Sequence, residues 1–434
     1  MRRRIIAGMG ANSFGMAITI GIQLASLPLF LHYWDAATYG TWLILSAIPA
    51  YLSMADVGMV TAAGNKMTIA VGKGDITEAN RIFQSAQAFM LVVCGVIGLF
   101  AVPFVIFAPL PWFTSTDIRL TLIALIVGVL AALFGGLAEA AFKSTGRYAT
   151  GTFLSNYARL GEWLGSMFGL IFVGTFAGVA VAGLVVRLIG VLCSILVARR
   201  GNHGLSWGIQ SAKETEIRAM IKPAVSFMAF PLANALSFQG VTLLVGAMFG
   251  PVAVAMFNTY RTIARVAVQV TAIFSHALWP EFSRIFGQGE TSALTGLYRR
   301  SAWLSAIQSL FLSLVLYFLS PWLLRVWTHN AIEFVPSHML LMLVYATVGG
   351  IWHIPRVLLM ATNQHVGLAY WVLAAGALCV GFSWILGHIW QLNGVVAAML
   401  LSELFIAVVC SRLAYVAINN KPTNNGSDMG VMLR

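Results

Sequence analysis

Stretches of about twenty mainly apolar residues recur along the whole chain, each long enough to cross the ~30 Å hydrocarbon core of a bilayer as a helix. Twelve can be read, at roughly 10–32, 40–62, 85–107, 118–138, 150–172, 176–198, 223–248, 252–278, 301–324, 335–360, 367–389 and 394–415. Of the 434 residues, 59% are hydrophobic and 9% charged, whereas soluble domains carry about 25% charged residues. The chain is therefore expected to be an all-α integral membrane protein.

Basic residues orient it. With the N-terminus in the cytoplasm, the inner segments hold nineteen of the 26 Lys and Arg residues. The outer segments hold only Arg119 and Arg325, and the other five lie within spans. This bias predicts an even number of spans and two cytoplasmic termini. It also accounts for the net charge of +12 without nucleic acid, because the charges are spread over short loops. Arg2–Arg4 followed by an apolar run imitates a signal peptide, but the run exceeds twenty residues and carries Asn12, Thr19, Gln23 and Ser26. It reads as a retained first helix. Cys94, Cys193, Cys379 and Cys410 all fall in spans without metal-like spacing and read as small buried hydrophobes.

The second half of the chain echoes the first. Gly72-Lys73-Gly74-Asp75 recurs as Gly287-Gln288-Gly289-Glu290, 215 residues later. Ser144-Thr145-Gly146-Arg147 and Val191-Leu192-Cys193-Ser194 have counterparts 217 residues on, at Ala361-Thr362-Asn363-Gln364 and Val408-Val409-Cys410-Ser411. Three matches in order predict two six-helix, pseudo-symmetric bundles, at 1–200 and 222–418. A cytoplasmic linker at 201–221 joins them, and a polar, disordered cytoplasmic tail follows at 419–434. Six spans is an even number, so both halves enter the membrane from the same side, a parallel repeat that commonly binds substrate at the repeat interface. The loops are too short for a folded extramembrane domain. No GxxxxGK[ST], HExxH, GxSxG or CxxC occurs, which argues against ATP hydrolysis and common enzyme chemistries.

Span eight carries the strongest functional signal. Arg261 and Arg265 are one helical turn apart, and Asn258 and Gln269 extend the same stripe. A charge at bilayer depth costs at least ~2.5–3.5 kcal/mol, so this face is expected to line a polar cavity and attract an anion. By the loop bias, Arg261 lies toward the outer leaflet and Arg265 near mid-membrane. Span seven adds Asn234 and Ser237. The stripe Asn12, Thr19, Gln23 and Ser26 serves either ligand contact or helix-to-helix hydrogen bonds.

The remaining charges leave alternatives open. Arg159 and Glu162 can pair on span five, or Arg187 can reach Glu162 across the hairpin, or the trio can line the cavity. Glu139 and Lys143 look like a surface pair. Arg356 either snorkels or faces the cavity. Asp56 can gate, pair or take a proton, and Glu403 has no evident sequence partner. Asp56, Glu403 and Glu162 are the ion-coupling candidates, for H+ or Na+; no other cofactor is called for.

Tyr39-Gly40-Thr41-Trp42, followed by Tyr51-Leu52, Asp56, Gly58, Asn65, Gly72 and Gly74, resembles bacterial Wzx-like oligosaccharide flippases for O-antigen and exopolysaccharide. These belong to a superfamily that also contains multidrug and toxic-compound exporters. The resemblance implies two bundles around a central cavity lined by helices one, two, seven and eight. It implies a substrate of undecaprenyl-pyrophosphate-linked oligosaccharide, moved between leaflets of the bacterial inner membrane by alternating access. Arg261, Arg265, Arg187, Arg159, Gln23, Asn234, Asn258 and Gln269 would then bind substrate. Its partners would be bilayer lipid and the polysaccharide polymerase and chain-length machinery. The alternative is a cation-coupled multidrug exporter of the same superfamily, which should favour unpaired carboxylates over arginines. A membrane-embedded polysaccharide polymerase or ligase should show a large outer loop, which is absent.

Overall fold

The computed structural model describes residues 2–108, 115–200, 204–288, 290–362, 364 and 366–419. The expectations for 201–203 and for the tail beyond Asn419 lie outside the described residues. Among the described residues there is no strand. The helices are α1 (Arg2–Tyr33), α2 (Ala36–Leu52), α3 (Met59–Gly72), α4 (Ile76–Phe107) and α5 (Thr116–Ser144). They continue with α6 (Tyr148–Phe172), α7 (Phe176–Arg200), α8 (Glu214–Ala235), α9 (Val241–Ala277) and α10 (Trp279–Gly287). The last four are α11 (Thr291–Trp327), α12 (Pro336–Ile351), α13 (His353–Ala361) and α14 (Val366–Asn419).

Among the described residues, eight helical stretches are long and apolar enough to cross a membrane. Two of them, Pro231–Ser275 and Gly367–Asn419, are each two passes. The first breaks at Gly250 (φ 81°, ψ −179°), the second at Trp390 and Gln391. Gly250 occupies backbone space that a side chain would strain, and Pro251 restarts the helix at a position that needs no N–H donor. The α2–α3 pair and α6 complete twelve passes, so the protein is an all-α, multi-pass membrane protein.

Three passes depart from the expected continuous helix. Span two breaks at residues 53–58, where Val57 and Gly58 have positive φ. The Asp56 carboxylate accepts the Gly58 N–H at 3.1 Å and steadies this turn. Span ten breaks at Trp352 between α12 and α13. Span seven passes through a π-helical turn, Leu236–Gly240, just after α8, and the Tyr51 hydroxyl lies 3.4 Å from the Ala235 carbonyl at its edge.

By packing, the chain forms two compact units, Met1–Ala255 with Trp327–Ile332, and Met256–Val326 with Glu333–Arg434. The division at 201–221 is a statement about sequence repetition. Helix boundaries recur at a similar offset: Asp35 precedes α2 as Gly250 precedes Pro251, and Asp75 precedes α4 as Glu290 precedes α11.

The core of the first unit is built from Met59, Met67, Phe83, Met90, Leu137 and Met220, which bring α3, α4, α5 and α8 together. Helix α2 passes so close to the start of the pass at Pro251 that a Cβ on Gly40 would lie 1.8 Å from the Pro251 carbonyl oxygen. The neighbouring motif residues Tyr39 and Trp42 pack on Phe30, with Trp34 beside them. The segment before α8 is tied to α4. Asn80 accepts the Ser206 N–H, Gln84 the Ser211 N–H, Ser85 the Lys213 N–H and Gln87 the Gly208 N–H. In the second unit, buried Ser305, Ser309 and Ser313 of α11 donate to carbonyls of Gly350, Thr347 and Leu343. Small hydroxylated residues thus let α11 and α12 approach closely.

Candidate functional site

The second unit places the arginine pair in a polar cluster. Arg261 is 2% exposed, donates to the Asn258 side chain and lies over the Phe257 ring at 5.0 Å from its centroid. The i, i+3 spacing of Asn258 and Arg261 makes this contact local. Arg265 and Gln269 follow on the same helix, both partly buried. Tyr345 of α12 lies within electrostatic range of Arg261, Arg265 and Glu403.

Glu403 has a partner that its own helix does not supply. Trp352, at the α12–α13 break, donates its indole N–H to Glu403 Oε1 at 2.8 Å. Arg356, one turn beyond, sits over the Trp352 ring at 5.7 Å and within electrostatic range of Glu403. Among the described residues the cluster includes Arg261, Arg265 and Arg356 with Glu403, Tyr345 and Trp352. A planar guanidinium fork matches phosphate or carboxylate oxygens. Tyr345 and Trp352 were not legible as site residues. Trp352 has one visible signal, its i, i+4 spacing to Arg356.

In the first unit, Arg187 pairs with Glu162 at 2.5 Å across the α6–α7 hairpin and also donates to the Gly128 carbonyl of α5 at 3.0 Å. Arg159 does not pair with Glu162; its guanidinium donates to the Thr19 hydroxyl at 2.8 Å. The expected Glu139–Lys143 surface pair does not form either, because Lys143 reaches Asn65 Oδ1 at 2.8 Å. Three members of the polar stripe on α1 serve helix packing against α6. Asn12 accepts from Tyr148, Thr19 from Arg159 and Ser26 from Trp163. Gln23 is partly buried on α1, and Asn234 is exposed near the end of α8. Cys379 and Cys410 are buried, whereas Cys193 is exposed, contrary to its reading as a buried hydrophobe.

Cavities open in this unit. One of about 210 Å³ lies between α5, α6 and α7, with Glu139, Ser155, Arg159, Glu162, Arg187 and Ser194 on its walls. A second, of about 190 Å³, shares Glu139 and Gly151 and adds Thr61, Lys143, Tyr148 and Thr152.

No protein-family model matches the chain, and no curated protein does. Solved structures do. An inward-facing multidrug resistance MATE family transporter of the MOP superfamily is similar at TM-score 0.69 and 12% identity, over 92% of this chain and 98% of its own. An outward-facing multidrug resistance MATE family transporter of that superfamily gives TM-score 0.64 at 12% identity, over 95% and 96%. A MATE in the straight conformation gives 0.60 at 12% identity, over 95% and 96%. The chain has the fold of these transporters.

Proposed function

We propose that the protein is a secondary transporter that moves an anionic amphiphile across the bacterial inner membrane by alternating access. The observation that carries this reading is the cluster of Arg261, Arg265 and Tyr345 in a fold otherwise known here from transporters. Proteins of this fold are solved both inward-facing and outward-facing, which supports alternating access as the mode of movement.

The substrate that fits the cluster and the motif resemblance is an undecaprenyl-pyrophosphate-linked oligosaccharide. Arg261 and Arg265, flanked by Asn258 and Gln269, hold the pyrophosphate by charge-assisted hydrogen bonds. The isoprenoid tail stays in the lipid. Glu403, which accepts from Trp352, is the acid best placed to couple transport to H+ or Na+; Glu162 is held by Arg187, and Asp56 steadies a turn. Both termini lie in the cytoplasm, and the polysaccharide polymerase and chain-length machinery receive the product.

A second reading, cation-coupled multidrug export, is favoured by the fold neighbours, two of which are described as multidrug resistance transporters. Deleting the gene and analysing lipids and drug susceptibility separates the two. Accumulation of a complete lipid-linked repeat unit supports flipping. Drug sensitivity with normal surface polysaccharide supports export and overturns the first reading. An Arg261→Ala/Arg265→Ala double variant should fail to restore surface polysaccharide while remaining in the membrane, and full restoration would remove the arginines from the mechanism.

A further inference from the structure

Two histidine rings meet at the far end of α1. His32 is the penultimate residue of that helix, and His329 lies in the segment between α11 and α12. Their ring centroids are 5.8 Å apart, with the planes at 61°. Both residues are exposed. Among the described residues none of their four ring nitrogens makes a hydrogen bond, and the other ring against them is Tyr33, 4.9 Å from His32. Two exposed imidazoles side by side thus keep all their nitrogen lone pairs and N–H groups for something else.

The fold holds His329 in this place. Pro28 has no N–H to give to the Leu24 carbonyl four residues back in α1. The Trp327 indole supplies that donor at 2.7 Å, two residues before His329. Thr328, fully buried, accepts the Ile332 N–H on its hydroxyl at 3.2 Å and the Ala331 N–H on its carbonyl at 2.8 Å. Within these ties His329 and Asn330 have φ of 51° and 63°, a left-handed backbone that is uncommon outside glycine. Residues Trp327–Ile332 pack in the same compact unit as α1. A closed turn, and not a loose loop, therefore presents the second histidine to the first.

Two imidazoles that share one ion, each at the usual Zn–N length of ~2.0–2.1 Å, have centroids about 5.2 Å apart at the tetrahedral angle and about 6.4 Å apart when opposed. The observed 5.8 Å lies inside that range. Turning an exposed ring about its Cβ–Cγ bond changes which nitrogen faces inward and scarcely moves the centroid, so the backbone need not shift. Among the described residues no group of three His, Cys, Asp or Glu residues could hold a metal, so water completes the coordination. We propose that His32 and His329 form a two-histidine site for a divalent transition-metal ion of the Zn2+ or Cu2+ kind, which ties α1 to the segment after α11. Imidazole favours these ions over Mg2+ and Ca2+, which prefer oxygen donors. The site is separate from the arginine cluster of the second unit and does not depend on the function proposed for it.

The test is Zn2+ binding to the purified, detergent-solubilised full chain, free of any affinity tag, by isothermal titration calorimetry. Electron paramagnetic resonance with Cu2+ counts the coordinating nitrogens. Wild-type protein should bind Zn2+ saturably in a large excess of Mg2+ and show a Cu2+ signal with two imidazole nitrogens. His32→Ala and His329→Ala should each weaken binding by roughly tenfold or more, since even the groups that merely orient metal ligands contribute that much. Each should also reduce the Cu2+ signal to one nitrogen. In chelator both variants should melt with wild type, which shows that they are folded, and Zn2+ should raise the midpoint of wild type alone. Binding that survives either substitution unchanged, a single-nitrogen signal in wild type, or no saturable binding below millimolar Zn2+ would overturn the proposal.

Discussion

Replacing Arg187 by methionine tests whether the charges of the first unit hold the bundle together. The Arg187–Glu162 contact is 2.5 Å long, and its side chains are 27% and 29% exposed. Removing one member of a buried pair costs about 3–5 kcal/mol, chiefly because the remaining charge stays desolvated. Partial exposure lowers that to about 2 kcal/mol, including the lost bond to the Gly128 carbonyl. For a unit of this size, that corresponds to a fall of about 4 °C in the unfolding midpoint. Adding Glu162→Met should recover most of the loss, since the pair is then replaced by apolar side chains of similar reach. The assay is thermal unfolding of wild type, both single variants and the double variant in detergent, read as a double-mutant cycle. A double variant as unstable as Arg187→Met, or a single variant with no loss, would refute the argument. Surface polysaccharide in the same four strains reports separately on function.

Gly40→Ala should destabilise the protein by about 1–3 kcal/mol, because its new methyl meets the Pro251 carbonyl at 1.8 Å. Gly21→Ala, with nothing within 4 Å, should be neutral or stabilising in the same melting assay. Asp35 caps α2 by accepting the Thr38 N–H at 2.7 Å, and that bond holds its carboxyl below the usual 3.8. Its contribution is therefore complete above about pH 5 and fades as pH falls through the lowered value, so the melting difference between wild type and Asp35→Ala should shrink below pH 4. Trp352→Phe should cost about 1–2 kcal/mol by leaving Glu403 without its indole donor. Combining it with Glu403→Gln should cost less than the sum of the two single changes, which the same unfolding measurements check.

Apolar run length and the spacing of near-repeated turns depend only on residues close in the chain. They were enough to place twelve passes, to mark Arg261 and Arg265 as one face, and to give Asn258 as a local companion. The breaks inside spans two, seven and ten were not legible, because each rests on backbone geometry that distant groups help to satisfy, as the Tyr51 hydroxyl does near Ala235. Partner choice was equally out of reach. Arg159 has an acid three residues away yet bonds Thr19 on α1, and Lys143 has one four residues away yet bonds Asn65 on α3. Helix packing decides which of several reachable partners a long side chain meets.

Sequence by itself thus determined the membrane setting, the pass count and the placing of Arg261 and Arg265 on one helix face, since hydrophobic length and helical spacing are local properties. Only the tertiary structure decided that Glu403 accepts from Trp352, that Glu162 is already held by Arg187, and that Glu139 opens onto a cavity. Those facts depend on side chains tens of residues apart in the chain, brought together by helix packing.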